Sequence, residues 1–122
     1  MKWRWSMFRR ILASLLLAGW SAWALAESIS VIAGSELPPE ARQTLALIKQ
    51  GGPYPFHKDG VIFGNYQHSL PEHARGYYRE FTVPTPGIHS RGGRRIVVGG
   101  ALPGVEYFFT GDHYRTFKRI QD

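Results

Sequence analysis

Gly51-Gly52, Pro84-Thr85-Pro86-Gly87, Gly99-Gly100 and Leu102-Pro103-Gly104 cut the chain into short pieces, and this punctuation limits the fold more than any other feature. One piece has helical spacing. Ala41, Leu45 and Ile48 recur on a single helix face, Pro38 and Pro39 suit a first turn, Glu40 favours the positive helix end, and Gly51-Gly52 stops the run. The later pieces are strand-like: Val61-Ile62-Phe63, then Tyr77 to Val83, Arg94 to Val98, Glu106 to Thr110 and Tyr114 to Ile120. Glu27 to Gly34 reads as an extended lead-in and Gly52 to Gly60 as a loop. A helix followed by strands joined through short turns predicts an α+β fold, with the N-terminal helix packed on a twisted antiparallel β-sheet.

The first residues belong to export rather than to the fold. Met1 to Arg10 carries Lys2, Arg4, Arg9 and Arg10 with no acid, Ile11 to Trp23 is apolar or small, and Ala24-Leu25-Ala26 ends in a cleavage-type pattern. Residues 1–26 are therefore expected to be a secretory signal peptide, with the product secreted to the periplasm or medium and no membrane anchor in the mature form. Residues 27–122 then make one small domain. The formal charge of +6 shrinks with the leader, because the remaining eleven basic and nine acidic side chains leave +2. Global charge is too small to argue for non-specific nucleic-acid binding, so any such argument rests on the local cluster of Arg91, Arg94 and Arg95. Without cysteine, thiol catalysis and cysteine metal sites are excluded and stability has to come from packing.

Strand alternation places Arg79, Phe81 and Val83 on one face and Tyr78, Glu80 and Thr82 on the other. In the next piece Ile96 and Val98 enter a core while Arg91 and Arg95 stay out of it, so one carboxylate and two arginines line one groove. A glutamate on a strand is usually only solvated, but two guanidiniums beside it make a phosphate clamp. His113, between Asp112 and Tyr114, is either a turn histidine or a proton donor, a role for which an imidazole is suited. His57, His68, His73 and His89 show no metal-ligand spacing and read as surface residues, so neither a metal nor another cofactor is expected. Aromatics near the arginines suit either packing or stacking on nucleobases.

Together these pieces resemble the barnase-like, guanyl-specific microbial ribonucleases, small exported enzymes. The resemblance is carried by Leu37-Pro38-Pro39-Glu40-Ala41, Asp59-Gly60-Val61-Ile62-Phe63, Leu70-Pro71, Gly76-Tyr77-Tyr78, Thr85-Pro86-Gly87, Arg91-Gly92-Gly93-Arg94-Arg95-Ile96, Tyr107 and Thr110-Gly111-Asp112-His113-Tyr114. It implies a helix on a twisted antiparallel sheet whose concave face binds single-stranded RNA. It further implies Glu80 as general base, His113 as general acid, and Arg91 and Arg95 as phosphate-binding arginines. Phe63, Asn65, Tyr66 and Gln67 would form the base-reading segment, with Tyr114 also binding substrate. Tyr66 and Gln67 stand where the family usually has arginine and glutamate. The Gln67 amide can pair with guanine N1 and O6 or, turned over, with adenine N1 and N6. His89 is either a subsite residue or a solvated loop histidine.

The expected activity is metal-independent endonucleolytic cleavage of RNA after guanine, by attack of the ribose 2′-hydroxyl, through a 2′,3′-cyclic phosphate to a 3′-phosphate. Two other readings account for the same groove: a non-catalytic RNA binder, and an antibacterial ribonuclease toxin whose producer holds a protective, barstar-like inhibitor. A monomer is expected.

Overall fold

The computed structural model describes residues 29–122, so the expected signal peptide lies outside the described residues. The elements are β1 (Ser30–Ala33), a short 3₁₀ turn (Gly34–Glu36), α1 (Pro39–Gln50), β2 (Val61–Ile62), β3 (Tyr78–Thr82), β4 (Arg95–Gly99), β5 (Glu106–Thr110) and β6 (Lys118–Gln121). The strands form one sheet in the order β1-β6-β5-β4-β3-β2.

The helix begins with Pro39 in its first turn, where a missing N–H costs nothing, and ends on Gly51 in the left-handed conformation (φ 86°). There the N–H of Gly51 reaches the Ile48 carbonyl at 3.2 Å and that of Gly52 the Leu47 carbonyl at 2.9 Å, which satisfies the frayed end. Ala41, Thr44, Leu45 and Ile48 form its buried face. They pack with Leu37, Phe81, Val83, Ile96, Val98 and Ile120 into the larger core. The Thr44 hydroxyl also donates to the Thr82 carbonyl at 3.3 Å, tying helix to sheet. The α+β arrangement is the expected one, and β3 alternates as expected, with Phe81 and Val83 turned towards the helix.

Three details differ from expectation. The lead-in is a strand: β1 pairs parallel with β6, from Ser30 opposite Lys118 to Ala33 opposite Gln121, so the otherwise antiparallel sheet is mixed. The closing strand starts at Lys118 rather than Tyr114, because His113 (φ 56°) and Tyr114 (φ 73°) have left-handed backbones that no strand accommodates. The third concerns the face away from the helix, which carries a second core of Leu70, Tyr78, Val97, Phe108 and Phe117. Arg95 shares that face with Val97 and is 2% exposed, so it does not stay outside the protein as alternation alone suggested. The segment 111–117 folds back over it and roofs it with Tyr114.

Candidate active site

Glu80 projects from the middle of β3, on the face opposite the helix, where cross-strand pairing with Val61 and Val97 fixes its backbone. Both carboxylate oxygens are engaged. Arg91 Nη2 lies 3.4 Å from Oε1, and the Tyr114 hydroxyl donates to Oε2 at 2.9 Å. Arg91 is itself steadied by Thr82, whose Oγ1 accepts from Nε at 3.0 Å. The side chains of Glu80 and Arg91 remain 16% and 26% exposed, so this ion pair borders solvent and is reachable by a ligand.

Arg95 is held from several sides. Its Nη1 donates to the carbonyls of Arg94 (2.7 Å) and Gly92 (3.0 Å), and its Nε to the Tyr114 hydroxyl (3.0 Å). A buried cation is tolerable when its donors are satisfied in this way. Tyr114 thus relays from Arg95 to Glu80. Burial, and then the hydrogen bond to Glu80, push its phenol above the ordinary range, which keeps it a donor.

The turn after β5 presents His113. Asp112 Oδ1 accepts from the Thr110 hydroxyl (3.0 Å) and the Thr116 N–H (2.9 Å), and Oδ2 accepts from the Thr116 hydroxyl (2.6 Å). Led by the contacts with Thr116, these bonds hold the Asp112 carboxyl down at about 2. The His113 N–H donates to the Gly93 carbonyl at 2.9 Å, so the turn is also tied to the chain leading into β4. The imidazole itself is exposed, with its ring centre 4.8 Å from that of Tyr114.

Glu80, His113 and Tyr114 line one groove of about 450 Å³ together with Phe63, Asn65, Tyr66 and Gln67. Seven of the nine residues singled out from the sequence therefore meet in one concavity, and Arg91 and Arg95 support it from beneath Glu80 and Tyr114. Phe63 forms its apolar floor, 5.2 Å from the Tyr114 ring and 5.8 Å from Phe117 between centroids. The Asn65 side chain is committed within its own loop: its amide donates to the Leu70 carbonyl (2.9 Å) and its oxygen accepts from the Leu70 N–H (3.1 Å). Gln67 is exposed at the rim, and His89 is an exposed loop residue outside the groove lining. Arg115 lines the groove and was not singled out from the sequence; its place beside Tyr114, as a further cation in the same motif, was the available signal. Among the described residues no three His, Asp or Glu side chains converge as metal ligands.

The comparisons with known proteins agree with this geometry. The model of a family described as ribonuclease matches residues 23–121. Guanyl-specific ribonuclease St of Saccharopolyspora erythraea is 52% identical over 84 residues, 69% of this chain and 80% of that protein. Guanyl-specific ribonuclease Sa of Kitasatospora aureofaciens is 52% identical over 86 residues, 70% of this chain and 88% of that protein. Among solved structures, ribonuclease Sa2 in complexes with mononucleotides superposes with a TM-score of 0.74 at 45% identity, covering 78% of this chain and 96% of that one. Sa2 with guanosine-2′-cyclophosphate gives 0.71 at 46% identity, covering 77% and 97%, and Sa2 with 3′-GMP gives 0.69 at 45%, covering 76% and 97%. With the family model matching residues 23–121 and two relatives 52% identical over 84 and 86 residues, this chain belongs to the guanyl-specific microbial ribonucleases, the barnase-like family.

Proposed function

We propose that the protein is an endoribonuclease that cleaves single-stranded RNA after guanine, by transphosphorylation to a 2′,3′-cyclic phosphate and then hydrolysis to a 3′-phosphate. The observation that carries this reading is the pairing of Glu80 and His113 in one groove, over an ion pair and beside an aromatic floor. Glu80 takes the proton of the ribose 2′-hydroxyl. That oxygen attacks the adjacent phosphorus, and His113 protonates the departing 5′-oxygen. In the second step the roles reverse: His113 takes a proton from water, the water oxygen attacks phosphorus, and Glu80 returns a proton to the 2′-oxygen. The cyclic and open guanosine nucleotides held by Sa2 are of the kinds these two steps produce.

Arg91 and Arg95 supply positive charge for the non-bridging oxygens, and no step calls on a metal. Of the two, Arg91 is the better placed to touch phosphate, because its side chain is 26% exposed whereas Arg95 is 2% exposed. The substrate provides the nucleophile, so DNA is not cut. The base enters over Phe63, where the Gln67 amide matches guanine N1 and O6.

Export after removal of residues 1–26, action as a monomer, and control by a barstar-like inhibitor complete the proposal. The charge and apolar pattern of the leader supports the first of these. The decisive experiment is digestion of four short RNAs, each with one different base 5′ of the scissile bond, in chelator, with products identified by mass. Cyclic phosphate ends appearing after guanine are expected. Binding without cleavage of any of the four would leave a non-catalytic RNA binder.

A further inference from the structure

Tyr66 lies outside any packing role its size would suggest. It is 78% exposed, yet its position is defined. The ring lies flat enough against Gly64 that a Cβ there would come within 2.4 Å of it, and its hydroxyl accepts from Arg75 Nη1 at 2.7 Å. Gly64 makes room for the ring, and Arg75 fixes its far end.

The ring is also a shared wall. It lines the groove of Glu80 and His113 and also a second concavity of about 230 Å³, which shares Phe63 to Tyr66 and adds His68, Glu72, His73, Ala74, Arg75 and Tyr78. That second concavity contains neither Glu80 nor His113. None of the ion pairs among the described residues involves Arg75, so its charge is not spent on a carboxylate.

We propose that Tyr66 and Arg75 form a subsite for the nucleotide on the 5′ side of the scissile one, its base stacked on the Tyr66 ring and its phosphate facing the Arg75 guanidinium. The inference rests on the ribonuclease reading, which also sets its direction. His113 protonates the leaving 5′-oxygen, so the 3′ neighbour departs at the His113 end of the groove. The chain on the other side of the bound base leads past Tyr66 into the second concavity. A tyrosine ring offers a stacking face that any base can use, and purines use it best. A guanidinium at the edge of the ring both holds the ring in place and attracts the backbone.

The test compares kcat/KM for GpU and ApGpU, with ApGpU carrying an abasic ribose in place of adenosine as the control, in wild type, Tyr66→Ala, Tyr66→Phe and Arg75→Ala. In wild type the 5′ adenosine is expected to raise kcat/KM by about 5- to 150-fold, the range for one base on an aromatic ring, and the abasic control is expected to lose most of that gain. Tyr66→Ala should bring the ApGpU to GpU ratio close to one. Tyr66→Phe should keep most of it, and Arg75→Ala should fall between. Because the readout is a ratio within one variant, a partly unfolded preparation does not change it. A wild-type ratio of one, or a ratio that survives Tyr66→Ala, overturns the subsite while leaving the nuclease in place. Failure of wild type to cut either substrate removes the ribonuclease reading and the subsite with it.

Discussion

The carboxylate of Glu80 has a different neighbour on each oxygen, Arg91 on one and the Tyr114 hydroxyl on the other, and a proton acceptor so held needs little reorganisation before it acts. Glu80→Gln and His113→Gln should each lower kcat by ~10² to 10⁴ on a guanine-containing oligonucleotide, with the circular dichroism of wild type, because each removes a proposed proton-transfer partner while the glutamine at 80 keeps the shape and one acceptor oxygen of the carboxylate. Arg95→Lys is a different case. Lysine cannot reach two carbonyls and the Tyr114 oxygen from one nitrogen, so urea unfolding should show a loss of about 2 kcal/mol in addition to a fall in kcat. A variant as stable as wild type would show that these contacts do not hold the turn. The meeting of Glu80 and His113 in one groove was legible from the sequence because each stands in a short motif. The burial of Arg95 was not, because alternation says which face a side chain takes but not what later folds over that face.

At the scale of elements, the turn between β5 and β6 is the least strand-like part of the sheet and the part that presents His113 and Tyr114. Thr110, Asp112 and Thr116 close it through the Asp112 carboxylate. That carboxyl titrates at about 2 in the folded protein against an ordinary 3.8, so the unfolded chain binds the proton first as pH falls. The stabilisation is complete above about pH 4 and disappears as pH drops towards 2. Asp112→Asn should therefore flatten the acid limb of stability across that window, as followed by fluorescence during acid titration. It should also lower kcat by up to ~10²-fold at neutral pH, through misplacement of His113. An unchanged acid limb would mean that Asp112 does not anchor the turn. The helix was readable to within a residue because periodicity, prolines and the glycine stop all agree. The start of the last strand was misread because Tyr114, Thr116 and Phe117 have strand-like chemistry, whereas the local bonds of Asp112 and the left-handed backbone at His113 and Tyr114 decide the conformation.

Across the whole molecule the sheet separates two cores with different duties. Ile48 on the helix side and Val97 on the catalytic side are both essentially inaccessible, at 1% and 0%. Ile48→Ala should cost ~2–5 kcal/mol and leave kcat unaltered below the melting transition. Val97→Ala removes less volume, ~1–3 kcal/mol, yet should also reduce kcat, since Phe108 and Phe117 beneath the groove lose a neighbour. Equal effects of the two on kcat would mean that the sheet transmits packing defects evenly. The pairing of β1 with β6 bears on a different stage of the protein's life. Ser30 finds its partner only at Lys118, so this ladder cannot zip until nearly all of the described chain is available, and closing so long a loop is slow. For a polypeptide that we propose crosses a membrane before it works, late closure has a use: the chain stays threadable through a translocation pore for longer.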